Sequence, residues 1–160
     1  MTTPRRVVVR GPNWLGDLVM AAPAIRAVGD AWPDAAVQVA VPAAFAPLVP
    51  LLDPRTTPVP LDGGRGPPAV RRHAAQIRAG EFDLGLLLTN SFGTALTMRL
   101  AGVPERWGYR RDGRGRLLTR AIGVRRVRRE SRHRADYYAA LVEAVGVAGP
   151  GLGLGIGWPE

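Results

Sequence analysis

Short apolar runs alternate along the chain with longer segments whose apolar residues recur at helical spacing. Arg6–Arg10 (RVVVR) is rich in β-branched residues and ends at a Gly-Pro pair, which predicts a first strand. Within 18–31 the apolar residues fall near one helix face. Pro23 interrupts this segment and removes a helix hydrogen bond, so we expect a kink there or a second helix that starts at Pro23.

The same alternation continues to the end of the chain. Further strands are expected at 36–41, 57–60, 84–88 and 107–109, helices at 43–52, 69–79, 92–101 and 134–145, a loop at 62–68, and helical turns within 116–122. This order predicts an α/β fold with a parallel sheet flanked by helices. Ligands bind such sheets beyond the carboxyl ends of the strands, which here means the turns at 11–17 and 89–93.

The first of these turns, GPNWLGD, carries one acid, Asp17, next to Gly16. An aspartate at a helix start can cap exposed N–H groups and interacts well with the helix dipole. Alternatively, a carboxylate on a short tether that faces the crevice can act as a general base. Gly16 would let a ligand or another backbone approach closely.

Several chemistries are excluded by composition and spacing. The 160 residues contain no cysteine, which rules out disulfides, thiolate zinc sites and cysteine nucleophiles. Two histidines are too few for a histidine-based metal cluster, and only a mixed site with carboxylates stays open. We expect neither a metal nor a cofactor. The glycines of the first turn match neither the dinucleotide fingerprint nor a P-loop.

Positive charge is concentrated in one segment. Residues 106–134 hold twelve arginines and two acids, a net charge of +10, whereas the rest of the chain has a net charge of −1. Such a segment suits a solvated basic surface, phosphate contacts to nucleic acid, or recognition of an anionic glycolipid or membrane. No nucleic-acid-binding motif accompanies the charge, so nucleic acid is not the expected partner.

The termini carry little that resembles a targeting signal. The apolar run after the first arginines has three residues, which is too short for a signal peptide, and the apolar stretch at 40–52 contains three prolines. We therefore expect a cytoplasmic protein. The glycine-rich segment 149–160 is typical of a linker.

Four stretches resemble one known family. RGPNWLGDLVMAAPAIRAV (10–28) resembles the opening motif of the ADP-heptose:lipopolysaccharide heptosyltransferases, glycosyltransferase family nine. LLLTNSFGTALTMRLAGVPERWGYR (86–110), GRLLT (115–119) and HRADYYAALVEAVG (133–146) resemble later blocks of that family, in the same order.

The resemblance implies the GT-B fold, in which two Rossmann-like domains face each other across a cleft. Residues 1–148 would form the N-terminal, acceptor-side domain, residues 149–160 would begin the interdomain linker, and the C-terminal donor domain would be absent. The implied reaction is transfer of heptose, with inversion, from ADP-heptose to the anionic lipopolysaccharide core. The chain alone would then be inactive, and its basic segment could also touch the cytoplasmic face of the inner membrane.

The same resemblance assigns roles to individual residues. Asp17 becomes the catalytic base that deprotonates an acceptor hydroxyl. Acceptor-binding candidates are Asn13, Trp14, Gly16, Asn90, Ser91, Thr94, Arg106 and Arg110, with Arg114 and Arg116 next.

Alternatives remain for some of these residues. Trp14 could instead pack over the first helix, and Ser91 could cap the helix that follows. Gly93 occupies a position where the family usually has Lys or Arg, so an acceptor contact carried by that base is missing here. A family member with another sugar donor, or a basic binding module without catalysis, also fits the sequence.

Overall fold

The computed structural model describes residues 3–123 and 134–147. Six strands form one parallel sheet in the order β3-β2-β1-β4-β5-β6. They are β1 Arg6–Arg10, β2 Ala36–Pro42, β3 Thr57–Leu61, β4 Leu84–Leu87, β5 Glu105–Arg110 and β6 Arg120–Gly123. The order reverses between β1 and β4, which is where a doubly wound sheet opens a ligand crevice.

Helices cover both faces of the sheet. They are α1 Leu15–Met20, α2 Ala22–Ala31, α3 Val49–Leu52, α4 Gly66–Arg78, α5 Phe92–Leu100 and α6 Arg134–Ala144, with 3₁₀ turns at Ala43–Leu48 and Arg114–Leu117. No helix within the described residues is long and apolar enough to cross a bilayer.

The core has two layers because successive side chains of each strand point to opposite faces. Val7 and Val9 pack in one cluster with residues of α1, α2 and α6, whereas Val8 packs on the other side with residues of α4 and α5. Burial on both faces explains why the strands have continuous apolar runs rather than an alternating pattern.

Most predicted elements are confirmed, with two corrections. The predicted loop at 62–68 is wrong at its end because α4 already begins at Gly66, with a proline in its first positions, where proline fits a helix. The helical turns expected at 116–122 are also wrong. A 3₁₀ turn ends at Leu117, and Arg120–Gly123 pairs with β5 as the edge strand β6.

The interruption at Pro23 has the form that the sequence predicts. Two helices replace one, and Pro23 occupies the start of α2, where its missing N–H costs no hydrogen bond. The segment 149–160, expected to be a linker, lies outside the described residues, as do Arg125, Arg126, Arg128, Arg129 and Arg132 of the basic segment.

Candidate functional site

The turn after β1 is held by a buried arginine. Arg10, the last residue of β1, is 5% exposed, and its guanidinium donates to the carbonyl oxygens of Gly11 and Ala40 and to Asn13 Oδ1 at 2.6 Å. Burial lowers the pKa of Arg10 to about 10, so the group stays protonated near neutral pH. Arg10 therefore places a positive charge beneath the turn and fixes the side chain of Asn13.

Asp17 lies in the first turn of α1, but it does not cap the helix. The N-cap residue is Trp14, and no side chain makes a capping hydrogen bond at this end. The carboxylate of Asp17 is partly buried, with 19% of the side chain exposed, and its Oδ1 lies 3.7 Å from Nε of Arg134. The capping alternative is therefore wrong, and the carboxylate is available for other chemistry.

Trp14 and Gly16 lie beside this carboxylate on the exposed side of the turn. Trp14 is 71% exposed, so the packing alternative for its ring does not hold in this structure. Gly16 is the second residue of α1, and a Cβ built on it would have no heavy atom within 4 Å. The fold itself leaves open space at Gly16.

The second turn, after β4, is tied together by hydroxyl groups. Ser91 Oγ accepts the backbone N–H of Thr94 at 3.2 Å and so caps α5, as the capping alternative predicts. The Thr94 hydroxyl donates to the Ser91 carbonyl at 2.9 Å and accepts from the Thr89 hydroxyl at 2.9 Å. These contacts give Ser91 and Thr94 structural roles within the turn, and their acceptor contacts stay predictions.

Asn90 is joined to α6. The hydroxyl of Tyr137 donates to Asn90 Oδ1 at 3.1 Å, and Tyr137 is itself buried. The ring of Tyr109 lies 4.4 Å from the ring of Tyr137, and the Tyr109 hydroxyl donates to the Tyr137 carbonyl at 2.7 Å. Burial raises the pKa of Tyr109 well above its ordinary value, so this hydroxyl remains a donor.

Arg114 lies fully buried beneath the second turn. Its Nε donates to the Tyr109 carbonyl at 2.8 Å, and Nη1 donates to the Ser91 carbonyl at 3.5 Å. Burial lowers the pKa of Arg114 to about 10. This side chain connects the end of β5 to the start of α5, so it has a structural role in this part of the site.

Arg106 lies far from these residues along the sheet. It is the second residue of β5, so it lies towards the amino ends of the strands, and its guanidinium donates to the carbonyls of Val103, Pro104 and Leu117. Burial lowers its pKa. The structure does not bring Arg106 to the edge that holds Asp17 and Asn90.

Arg110 is the last residue of β5, and a basic loop follows it. Arg110, Arg111 and Arg116 line a cavity of about 500 Å³ together with Asp112, Gly113 and Gly115. The three arginines are exposed, in contrast to Arg106 and Arg114. The surface charge of the described basic segment is thus concentrated at the carboxyl edge of the sheet.

Sequence reasoning missed several residues that shape the site. Tyr137 is not among the candidate residues of the sequence analysis, yet it is buried and its hydroxyl donates to Asn90. Arg10 could have been found from the sequence, since it is a charged residue at the end of a predicted buried strand and such a residue lies at the crevice. Tyr138 lies close enough to Asp17 that the carboxylate adds to the effect of burial, which raises the pKa of Tyr138 to about 12.

Between residues 3 and 123 and between 134 and 147, no three His, Asp or Glu side chains come together as metal ligands would.

Comparison with known proteins shows which proteins this chain resembles. No protein-family profile matches the chain. Lipopolysaccharide heptosyltransferase 2 of Escherichia coli (strain K12) is 31% identical over 116 residues, which are 71% of this chain and 33% of that protein. Over this stretch the chain resembles the lipopolysaccharide heptosyltransferases. It spans about a third of the length of the curated relatives that it matches.

Solved structures of the family have the same fold. The structure of the E. coli ADP-heptose lipopolysaccharide heptosyltransferase II matches with a TM-score of 0.60 and 30% identity, over 71% of this chain and 33% of that one. A family-nine glycosyltransferase from Veillonella parvula matches with a TM-score of 0.74 and 22% identity, over 91% of this chain and 42% of that one. The predicted Rossmann-like sheet of a GT-B glycosyltransferase is therefore confirmed.

Proposed function

We propose that this chain is the acceptor-binding domain of an inverting glycosyltransferase that transfers heptose from ADP-heptose to the lipopolysaccharide inner core. The observation that carries the proposal is the position of Asp17. Its carboxylate lies at the carboxyl edge of the sheet, does not cap its helix, and is paired only loosely with an exposed arginine. Residues 1–148 would form this domain, and residues outside this chain would hold most of the donor.

In this proposal Asp17 acts as the general base. Its carboxylate takes the proton of an acceptor hydroxyl, and the hydroxyl oxygen attacks the anomeric carbon of the donor from the face opposite the leaving group. The new C–O bond forms as the bond to ADP breaks, and ADP leaves with the electron pair. Arg134 would orient the carboxylate during this step.

The acceptor would lie between the two turns. Asn13, Trp14 and Gly16 are on one side, and Asn90, Ser91 and Thr94 are on the other. Trp14 exposes enough of its ring to stack on a sugar face. Arg106 is not part of this surface, because its guanidinium lies at the other end of β5 and donates hydrogen bonds to three carbonyls there.

The positive charge of the basic loop supports the proposal of an anionic partner. Arg110, Arg111 and Arg116 surround one cavity, and guanidinium groups match carboxylates and phosphates in geometry. The proposed partners are the anionic acceptor and, peripherally, the cytoplasmic surface of the inner membrane. A binding module for nucleic acid is the alternative, and it would need no acceptor sugar.

The test replaces Asp17 by Asn and by Ala in the full-length protein. Loss of a general base is expected to lower turnover by about 10²- to 10⁴-fold in both variants, with folding preserved. Turnover is measured with ADP-heptose and truncated lipopolysaccharide. Retention of most of the turnover by both variants would contradict the assignment of Asp17, and preferential binding of the chain to nucleic acid would favour the alternative.

A further inference from the structure

We propose that Tyr137 is a positioning residue that fixes the side-chain amide of Asn90, so that Asn90 binds the acceptor as a hydrogen-bond donor. This inference rests on the proposed function, and it concerns a residue outside the motif of the first turn. Tyr137 touches no reacting atom in this account. It acts through Asn90 alone.

The first step of the argument is the direction of the hydrogen bond. The Tyr137 hydroxyl donates to Asn90 Oδ1 at 3.1 Å. With the oxygen held on the side of α6, the two N–H groups of the same amide are directed away from Tyr137. Asn90 is partly exposed at the end of β4, so a sugar hydroxyl or phosphate oxygen can accept from these groups.

The second step is that Tyr137 is itself held in place. Its ring packs against the ring of Tyr109 with a centroid distance of 4.4 Å, and its carbonyl accepts the Tyr109 hydroxyl at 2.7 Å. Tyr109 in turn offers its own carbonyl to the buried guanidinium of Arg114 at 2.8 Å. The hydroxyl that reaches Asn90 therefore comes from a side chain with little freedom to move.

The third step concerns the helix that carries Tyr137. Arg134 and Tyr137 are three residues apart in α6 and therefore lie on neighbouring parts of one helix surface. Arg134 approaches Asp17 in the first turn, and Tyr137 contacts Asn90 in the second. One helix thus sets the position of the proposed base and of the proposed acceptor contact relative to each other.

The experiment uses the 160-residue chain and a deacylated inner-core oligosaccharide of lipopolysaccharide as the probe, with dissociation constants measured by calorimetry. Asn90→Ala is expected to weaken binding, and Tyr137→Phe is expected to weaken it by about fivefold, since one hydrogen bond no longer orients the amide. In the double variant, Tyr137→Phe should add no further loss because the amide through which it acts is gone.

Tyr138→Phe is the matched control. It removes the hydroxyl from the next tyrosine of α6, and this tyrosine lies near Asp17. Because Tyr138 is not bonded to Asn90, Tyr138→Phe should change the dissociation constant by the same factor with and without the Asn90 side chain. NMR spectra distinguish a changed orientation of the Asn90 amide from a general change in the fold. The side-chain N–H resonances of Asn90 should shift in Tyr137→Phe while the backbone resonances of the core strands stay in place.

The outcomes separate the two proposals. If the unaltered chain does not bind the oligosaccharide, the proposed function falls and this inference falls with it. If the chain binds and Asn90→Ala weakens binding, but Tyr137→Phe has no effect or has the same effect in both backgrounds, only the role of Tyr137 is overturned.

Discussion

Arg134, the first residue of α6, places its Nε 3.7 Å from Oδ1 of Asp17 in α1. The two residues are distant in sequence, and the contact joins the turn after the first strand to the last helix of the described chain. The arginine side chain is 59% exposed, and the separation is that of a loose ion pair rather than a short hydrogen bond. Such a contact can orient the carboxylate without removing it from solvent or substrate.

Replacing Arg134 by Gln should therefore lower turnover of the full-length protein only moderately, by up to about fivefold, because an exposed ion pair is worth roughly 0–1 kcal/mol. The loss should shrink as salt is added, since salt screens the exposed pair. Steady-state kinetics at low and high ionic strength measure both effects. Arg71→Gln, at an exposed arginine of α4 outside the proposed site, is the control, and an equal loss in both variants would contradict a specific role for Arg134.

Gly16→Ala should leave the fold intact and weaken the acceptor complex. A Cβ at this position meets no atom within 4 Å, and alanine is favoured over glycine inside a helix by up to about 1 kcal/mol. The melting temperature should therefore stay the same or rise. If an acceptor lies against Gly16, the KM for acceptor should increase while the KM for ADP-heptose does not, and an unchanged acceptor KM would remove Gly16 from the binding surface.

Gly11→Ala should have the opposite effect on stability. A Cβ at Gly11 would lie 2.8 Å from Cγ1 of Val41, which is buried in the neighbouring strand. Overpacking of this kind costs about 1–3 kcal/mol. Urea denaturation gives the free energy of unfolding of Gly11→Ala and of Gly16→Ala, which are the same chemical change at two positions of one turn. Equal stability of the two variants would show that Val41 can shift to accommodate the added Cβ.

Asp53 should make the stability of the chain depend on acid pH. Its carboxylate accepts hydrogen bonds from the backbone N–H, Nε and Nη2 of Arg55, at 2.9, 3.0 and 2.7 Å, and these bonds lower the pKa of Asp53. A lowered pKa in the folded state means that the unfolded chain binds the proton more tightly. The stabilisation is therefore present above the unfolded pKa, near 3.9, and is lost as the pH falls through the folded value.

Asp53→Asn tests this dependence. At pH 7 the variant should be less stable by about 1.5–3 kcal/mol, since bonds to a charged acceptor are replaced by weaker ones. The difference from the unaltered chain should shrink below about pH 4. Denaturation at several pH values measures it, with the exposed Asp34→Asn as control, and a difference that is constant with pH would overturn the explanation.

Local patterns predict the fold well because each strand and helix is determined largely by its own residues. The valines of β1 and the helical spacing of α2 need no distant information. The edge strand β6 was missed because Arg120 and its neighbours lack the apolar run of a buried strand, and the ladder to β5 forms only in the folded sheet.

The candidate site is harder to predict, since its contacts join residues far apart in sequence. Asp17 and Asn90 follow predicted strands, so their common edge could be inferred. The bond from Tyr137 to Asn90 and the burial of Arg114 depend on how α6 and the 3₁₀ turn pack, which no local pattern indicates. Arg106 and Arg110 look equivalent in sequence, yet they lie at opposite ends of one strand.

The central place of β1 affects how the chain is made as well as what it binds. Val7 pairs on one side with Val37 and on the other with Leu84. The second pairing must close a much longer loop, which slows folding. During synthesis, β1 can gain its first neighbour early, but its other edge remains open until β4 has left the ribosome. A nascent chain halted before Leu84 would therefore expose an unpaired apolar strand, the kind of edge that chaperones and aggregates both recognise.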